Sequence, residues 1–133
     1  LRIVLTSMTA ACVLLALARA GSGAQGAEPP HTRGETLFEN RCARCHGLGG
    51  DGGDGLAPPL TGVVGRTVAS RSDYVYSTAL KTRGGVWSNG ALDQYIANPQ
   101  AFAPGAEMEV NSPDPTEREA IIAYLGTLKE GGT

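Results

Sequence analysis

Cys42-Ala43-Arg44-Cys45-His46 is the stretch that decides how this chain is read. Two cysteines three positions apart place both thiols on one face of a helical turn, and His46 follows one turn after Cys42. The sequence holds three cysteines and two histidines, His31 and His46, and the third cysteine, Cys12, lies far upstream. A zinc site needs four ligands, and no second cysteine pair exists to complete one. A redox-active pair of the thioredoxin kind wants a βαβ setting, and alternating strand patterns barely appear here.

Cys-x-x-Cys-His is the covalent attachment signature of a c-type haem. The spacing lets each thiol add to one of two vinyl groups while the imidazole of His46 faces the iron from one side. Attachment requires reduced thiols and an exported chain, and the N-terminus is laid out for export. Arg2 gives a positive start, Ala10 to Ala18 is wholly apolar, and Ala18-Arg19-Ala20 has a small-x-small pattern. Residues 1–20 therefore read as a signal peptide, with Ala24 as a second candidate cleavage point. The sixteen residues from Ile3 to Ala18, interrupted by Thr6, Ser7 and Thr9, fall short of the roughly 20 that span a bilayer. Cys12 reads as a small hydrophobe that leaves with the signal. No membrane span is expected in the mature form, and the expected location is the periplasm.

A chain of 133 residues makes one domain the default. Glycine (19) and proline (8) together exceed a fifth of it, which favours short elements joined by loops. Residues 21–31 read as a flexible small-residue linker and residues 32–133 as the folded domain. Removing Arg2 and Arg19 from the eleven bases leaves nine against thirteen acids, so the usual basic footprint of a nucleic-acid binder is missing.

Helical signals dominate the domain. Thr32 and Glu35 form a capping box that would open a helix whose apolar side holds Gly34, Phe38 and Cys42. Asp114-Pro115-Thr116-Glu117 opens a stronger one, with Ile121, Tyr124, Leu125 and Leu128 on one face and Gly131 as a stop. Shorter helices are expected over Ser72–Lys81 and Asn89–Asn98, the latter with Leu92, Tyr95 and Ile96 inward and Pro99 ending it. From Gly47 to Gly65 nothing periodic survives, and two terminal helices look short of core without a large group to wrap. The Gly-rich run from Gly47 to Gly55 lacks the strand and helix that flank a phosphate loop, and Asp51 and Asp54 are too few for calcium.

A six-coordinate iron needs a second ligand, and after the signal the chain offers Met108 and His31. Met108 lies in Ala103-Pro104-Gly105-Ala106-Glu107-Met108-Glu109-Val110, where Pro-Gly breaks any helix. That makes a helical core role weak and suits a thioether approaching from the opposite side. His31 reads as part of the tail.

From about Gly34 to Leu128 the chain resembles a class I cytochrome c of the larger bacterial or mitochondrial-like kind. The resemblance implies an all-α fold with crossing terminal helices around one haem, held covalently through Cys42 and Cys45, with His46 and Met108 as iron ligands. It also implies single-electron transfer as a carrier rather than catalysis as an enzyme. Gly34 and Phe38 match residues that pack on the C-terminal helix at Ile121 and Tyr124. In Pro58-Pro59-Leu60-Thr61-Gly62-Val63-Val64-Gly65-Arg66 the match makes the Pro58 carbonyl the acceptor for the His46 N–H. Arg66, Tyr76 and Trp87 match donors to a haem propionate, and Tyr95 and Pro99 match residues around the methionine face. Trp87 also reads as an ordinary core aromatic, and Tyr74 as core packing.

Where this chain departs from the family, it departs in charge. Ala106 stands for a threonine that donates to a propionate, and Glu107, Gln100 and Ala101 stand for lysines that ring the exposed haem edge. Arg41, Arg44, Lys81 and Arg33 are the bases left to steer a partner. The implied partners are redox proteins, an oxidase, reductase or dehydrogenase, met by a monomer. Two other classes carry some of these features: a haem enzyme with an open sixth position, and a subunit that passes electrons within a fixed complex.

Overall fold

The computed structural model describes residues 28–48 and 56–129. The expected signal peptide, cleavage points, Cys12, Asp51, Asp54 and Gly131 lie outside them, as do residues 21–27 of the expected linker. Five helices follow in chain order: α1 (Pro30–Arg41), α2 (Thr78–Arg83), α3 (Asn89–Ala97), α4 (Pro99–Phe102) and α5 (Pro115–Thr127). The described residues form no strands beyond one isolated antiparallel bridge between Thr67 and Val86, so the fold is all-α.

The first helix starts earlier than the capping box predicts. Pro30 occupies the first helical position, where its fixed φ suits a helix and its missing N–H goes unmissed. Pro29 precedes it at φ −54°, ψ 139°, and its carbonyl accepts from the amides of Thr32 and Arg33 at 3.0 and 3.3 Å. Thr32 is thus drawn into the first turn and caps nothing. His31 is an exposed residue of α1 rather than part of a tail.

At the other end the hydrogen bonding runs past α1 into the cysteine motif. Cys42 and Ala43 donate to the Phe38 carbonyl at 2.8 and 2.9 Å, and His46 donates to that of Cys42 at 2.8 Å. One further turn of chain therefore carries both thiols and the imidazole, as the spacing requires.

The last helix begins where the sequence says, with the Asp114 side chain accepting from the Thr116 amide at 2.8 Å and Pro115 at the first position. Glu117 does not turn back to complete a capping box. Its carboxylate receives both guanidinium nitrogens of Arg41, at 2.6 and 3.0 Å, and the Ser112 hydroxyl at 2.9 Å. A charge-assisted two-pronged partner wins over a solvated backbone amide.

Helices α1 and α5 cross in close contact. Gly34 makes the crossing possible, since a β-carbon there would sit 2.0 Å from the Ala120 carbonyl oxygen and 2.8 Å from the Tyr124 β-carbon. Phe38 is wholly buried against Tyr124, ring centroids 5.5 Å apart, and Ile121 and Leu125 complete the packing at 2% exposure each. Arg118 ties α5 to α3 through Asp93 at 2.6 Å.

In the middle of the chain the first helix starts later than expected. Of Ser72–Lys81 only the end is helical, because the Ser77 hydroxyl accepts from the Leu80 amide and starts α2 at Thr78. Helix α3 matches its expected span, capped by Ser88, with Leu92 buried and Tyr95 and Ile96 partly so. Pro99 ends α3 and also begins α4, capped by the Asn98 side chain accepting from Ala101 at 3.0 Å. The amide of Trp87 donates to the Arg66 carbonyl and that of Gly65 to the Trp87 carbonyl, both at 2.9 Å. That pairing sets the Arg66 loop beside the start of α3.

Candidate functional site

The crossed helices leave one cavity of about 300 Å³ between the cysteine motif and the chain that follows it. All nine residues singled out from the sequence line it: Cys42, Cys45, His46, Pro58, Arg66, Tyr76, Trp87, Tyr95 and Met108. Phe38, Leu80, Leu92, Ile121 and Leu125 supply much of its apolar wall. Pro99 is buried but is not part of the lining, and neither is exposed His31.

The imidazole is oriented from behind. His46 Nδ1 lies 2.8 Å from the Pro58 carbonyl oxygen, an acceptor that fixes the proton on Nδ1 and leaves the Nε2 lone pair for a metal. Burial lowers the His46 pKa below its ordinary value, with the Pro58 hydrogen bond pulling the other way. The net effect keeps the ring neutral, the form that ligates. Cys42 and Cys45 are not bridged to each other, and burial pushes the Cys42 thiol up to about 11 against the opposing pull of Arg41.

Met108, in the same cavity lining, follows a tight turn at Pro104-Gly105. Gly105 adopts φ +93°, which a side chain would strain, and the Ala106 amide donates to the Ala103 carbonyl at 2.9 Å. The loop thus brings a soft sulfur donor to the same cavity as His46, though the two lie far apart in sequence.

The polar residues of the wall are held by the backbone. Arg66 donates to the Thr61 and Pro59 carbonyls at 3.0 and 3.2 Å, which stiffens its guanidinium at the cavity edge. Tyr76 is buried with its ring edge-on to Tyr74, centroids 4.9 Å apart. Tyr74 does more than pack, because its hydroxyl donates to the Leu56 carbonyl at 3.2 Å. Trp87 stacks on Phe102 at 5.6 Å and meets Tyr95 at 5.1 Å. Trp87 is a buried core aromatic that also lines the cavity.

Sequence reasoning passed over Ser77, Asn111 and Ser112, which also line the cavity. Ser77 lies inside the helix expected over Ser72–Lys81 with nothing local to mark it, and Ser112 becomes visible only once Arg41 and Glu117 converge on it. The four proposed steering bases also change in number. Arg41 is committed to Glu117, whereas Arg33, Arg44 and Lys81 are exposed.

A haem fits this donor set. Two thiols and an oriented imidazole lie within one turn of chain, and Met108 and Arg66 line the same largely apolar cavity. Among the described residues no group of three or more His, Cys, Asp or Glu side chains could hold a bare metal ion instead.

Comparison with known proteins gives the same answer. Residues 31–129 match the family model for cytochrome c. The chain is 41% identical over 96 residues to the cytochrome c-type cyt cy of Rhodobacter capsulatus, covering 71% of this chain and 47% of that longer protein. It is 38% identical over 96 residues to cytochrome c2 of Rhodomicrobium vannielii, covering 71% and 76%. The solved structure of cytochrome cH from Methylobacterium extorquens superposes with a TM-score of 0.66 at 35% identity, covering 73% of this chain and 97% of that one. The chain belongs to the cytochrome c family, electron carriers that exchange electrons with redox partners, and binds one haem c covalently through Cys42 and Cys45.

Proposed function

We propose that this chain carries single electrons in a periplasm, with His46 and Met108 both bound to the iron. One observation carries the reading: His46, already oriented by Pro58, and Met108 on its Pro-Gly loop line the same cavity. When bound, the haem supplies a one-electron ferric/ferrous couple.

The chain's own residues do the rest. Pro58 holds the proton on Nδ1 and so raises the ligand strength of Nε2. A thioether ligand and an apolar wall favour the less charged ferrous state, which raises the potential. Two protein ligands, His46 and Met108, would leave no open position for oxygen and would keep reorganisation small when an electron moves. Arg66, Tyr76 and Trp87 stand at the cavity as partners for the propionates, with Arg66 prepositioned by its two carbonyl contacts. Tyr95 lines the cavity and is held there by its ring contacts with Trp87 and Phe102, 5.1 and 5.4 Å between centroids.

The export pattern of residues 1–20 supports a periplasmic location for residues 32–133, working as a monomer with an oxidase, reductase or dehydrogenase. No helix among the described residues is long and apolar enough to cross a membrane. Optical spectra of both oxidation states with a carbon monoxide challenge test the ligation. A far-red sulfur-to-iron band in the oxidised protein and no carbon monoxide adduct in the reduced one are expected. Ready adduct formation would mean an open site and refute the reading. N-terminal sequencing of the exported protein checks cleavage after Ala20 or Ala24.

A further inference from the structure

We propose that Gln100 is a positioning residue for Met108, acting as a carboxamide clamp on the loop that carries the sulfur. The inference rests on Met108 being an iron ligand.

The loop from Pro104 to Met108 has no ladder or helix to fix it, and its internal backbone support is the single turn bond from Ala106 to Ala103. Gln100, in the first turn of α4, spans it. Its Nε2 donates to the Ala106 carbonyl at 2.6 Å and, at a longer 3.4 Å, to that of Met108. Its Oε1 accepts from the Gly105 amide at 3.1 Å. One planar amide thereby engages three residues of the loop, two before the methionine and the methionine itself.

Donor and acceptor must sit on the same rigid end for this pattern to form. A lysine offers donors and no acceptor, and a carboxylate offers acceptors that would face two carbonyl oxygens. Glutamine satisfies both requirements at this reach. Gln100 is itself exposed, so its contribution goes to the loop rather than to the core. The anchor is firm, because α4 is capped by Asn98 and packs against α3. Releasing the clamp frees the loop to swing, and the sulfur then yields its place more readily to a competing ligand.

Imidazole competing for the ferric holoprotein reads this directly. Gln100→Ala should bind imidazole about tenfold more tightly, the effect of losing two ordinary hydrogen bonds from the closed form. Gln100→Glu should shift in the same direction and further. The urea midpoint followed by far-UV circular dichroism should fall by no more than those same hydrogen bonds are worth, because they hold the closed form against the opened loop and the unfolded chain alike. Imidazole affinities within twofold of the unsubstituted protein in both variants, with the far-red band present, would overturn the clamp. So would an equal gain in imidazole affinity in Asp93→Ala, which breaks the α3–α5 contact with Arg118 and touches nothing of the loop, because loop opening would then follow global stability rather than Gln100. Absence of the far-red band from the unsubstituted protein would instead overturn Met108 ligation, and the clamp with it.

Discussion

Gly34 faces the Ala120 carbonyl so closely that any β-carbon at position 34 would stand 2.0 Å from its oxygen. The obstacle is helix backbone and not the movable end of a side chain, so the α1–α5 crossing must open to admit a methyl group. Gly34→Ala should lower the stability of the holoprotein by about 3 kcal/mol, the upper part of the range for overpacking. A urea titration measures it, and an unchanged midpoint would mean that the crossing is not fixed by this contact.

Met108→Ala removes the one sulfur offered to the cavity from the far side. The oxidised variant should lose its far-red band, the reduced variant should take up carbon monoxide stoichiometrically, and the midpoint potential should fall. Optical spectroscopy and redox titration check these together.

The pairing of Arg41 with Glu117 joins α1 to α5 through both carboxylate oxygens. Arg41 is partly exposed, which screens the attraction. A double-mutant cycle over Arg41→Ala and Glu117→Ala should give a coupling of about 1 kcal/mol, falling with added salt. No coupling would reduce this contact to a crystal-style surface pair without consequence.

Burial, with smaller contributions from Tyr74 and Glu107, raises the Tyr95 phenol to about 12. The unfolded chain releases this proton near 10, before the folded one does. Folding stability linked to Tyr95 is therefore complete below about pH 10 and is lost as pH climbs toward 12. Denaturant midpoints across that window should decline, and Tyr95→Phe, which keeps the ring contacts with Trp87 and Phe102, should decline less.

Association should depend weakly on ionic strength. Glu107 and Glu109 flank Met108 as exposed acids, and Arg41 is occupied by Glu117, leaving Arg33, Arg44 and Lys81 exposed. Stopped-flow rates with an acidic redox partner should stay flat or rise with salt. A steep fall would show that these few bases still dominate the docking face.

Much of the fold was legible because its signals are local. The Cys42–His46 spacing, the Asp114-Pro115 start of α5 and the Pro104-Gly105 turn each depend on residues within a few positions, and each stands where the sequence put it. The misplaced elements share a cause. At α1 two local signals competed, and Pro29-Pro30 prevailed over Thr32 because a preset φ needs no side-chain partner. At α2 the Ser77 hydroxyl found the Leu80 amide first, so the helix began six residues late.

What the amino-acid sequence determined alone was the chemistry: a haem tethered at Cys42 and Cys45, an imidazole one turn on, and a lone sulfur in a helix-breaking loop. Covalent spacing and backbone geometry fix such things before any packing occurs. The tertiary structure decided which partner each versatile side chain would take. Glu117 turned from its own helix to Arg41, and Gln100 closed on the methionine loop, because those choices compare distances between segments far apart in the chain, and only folding sets such distances.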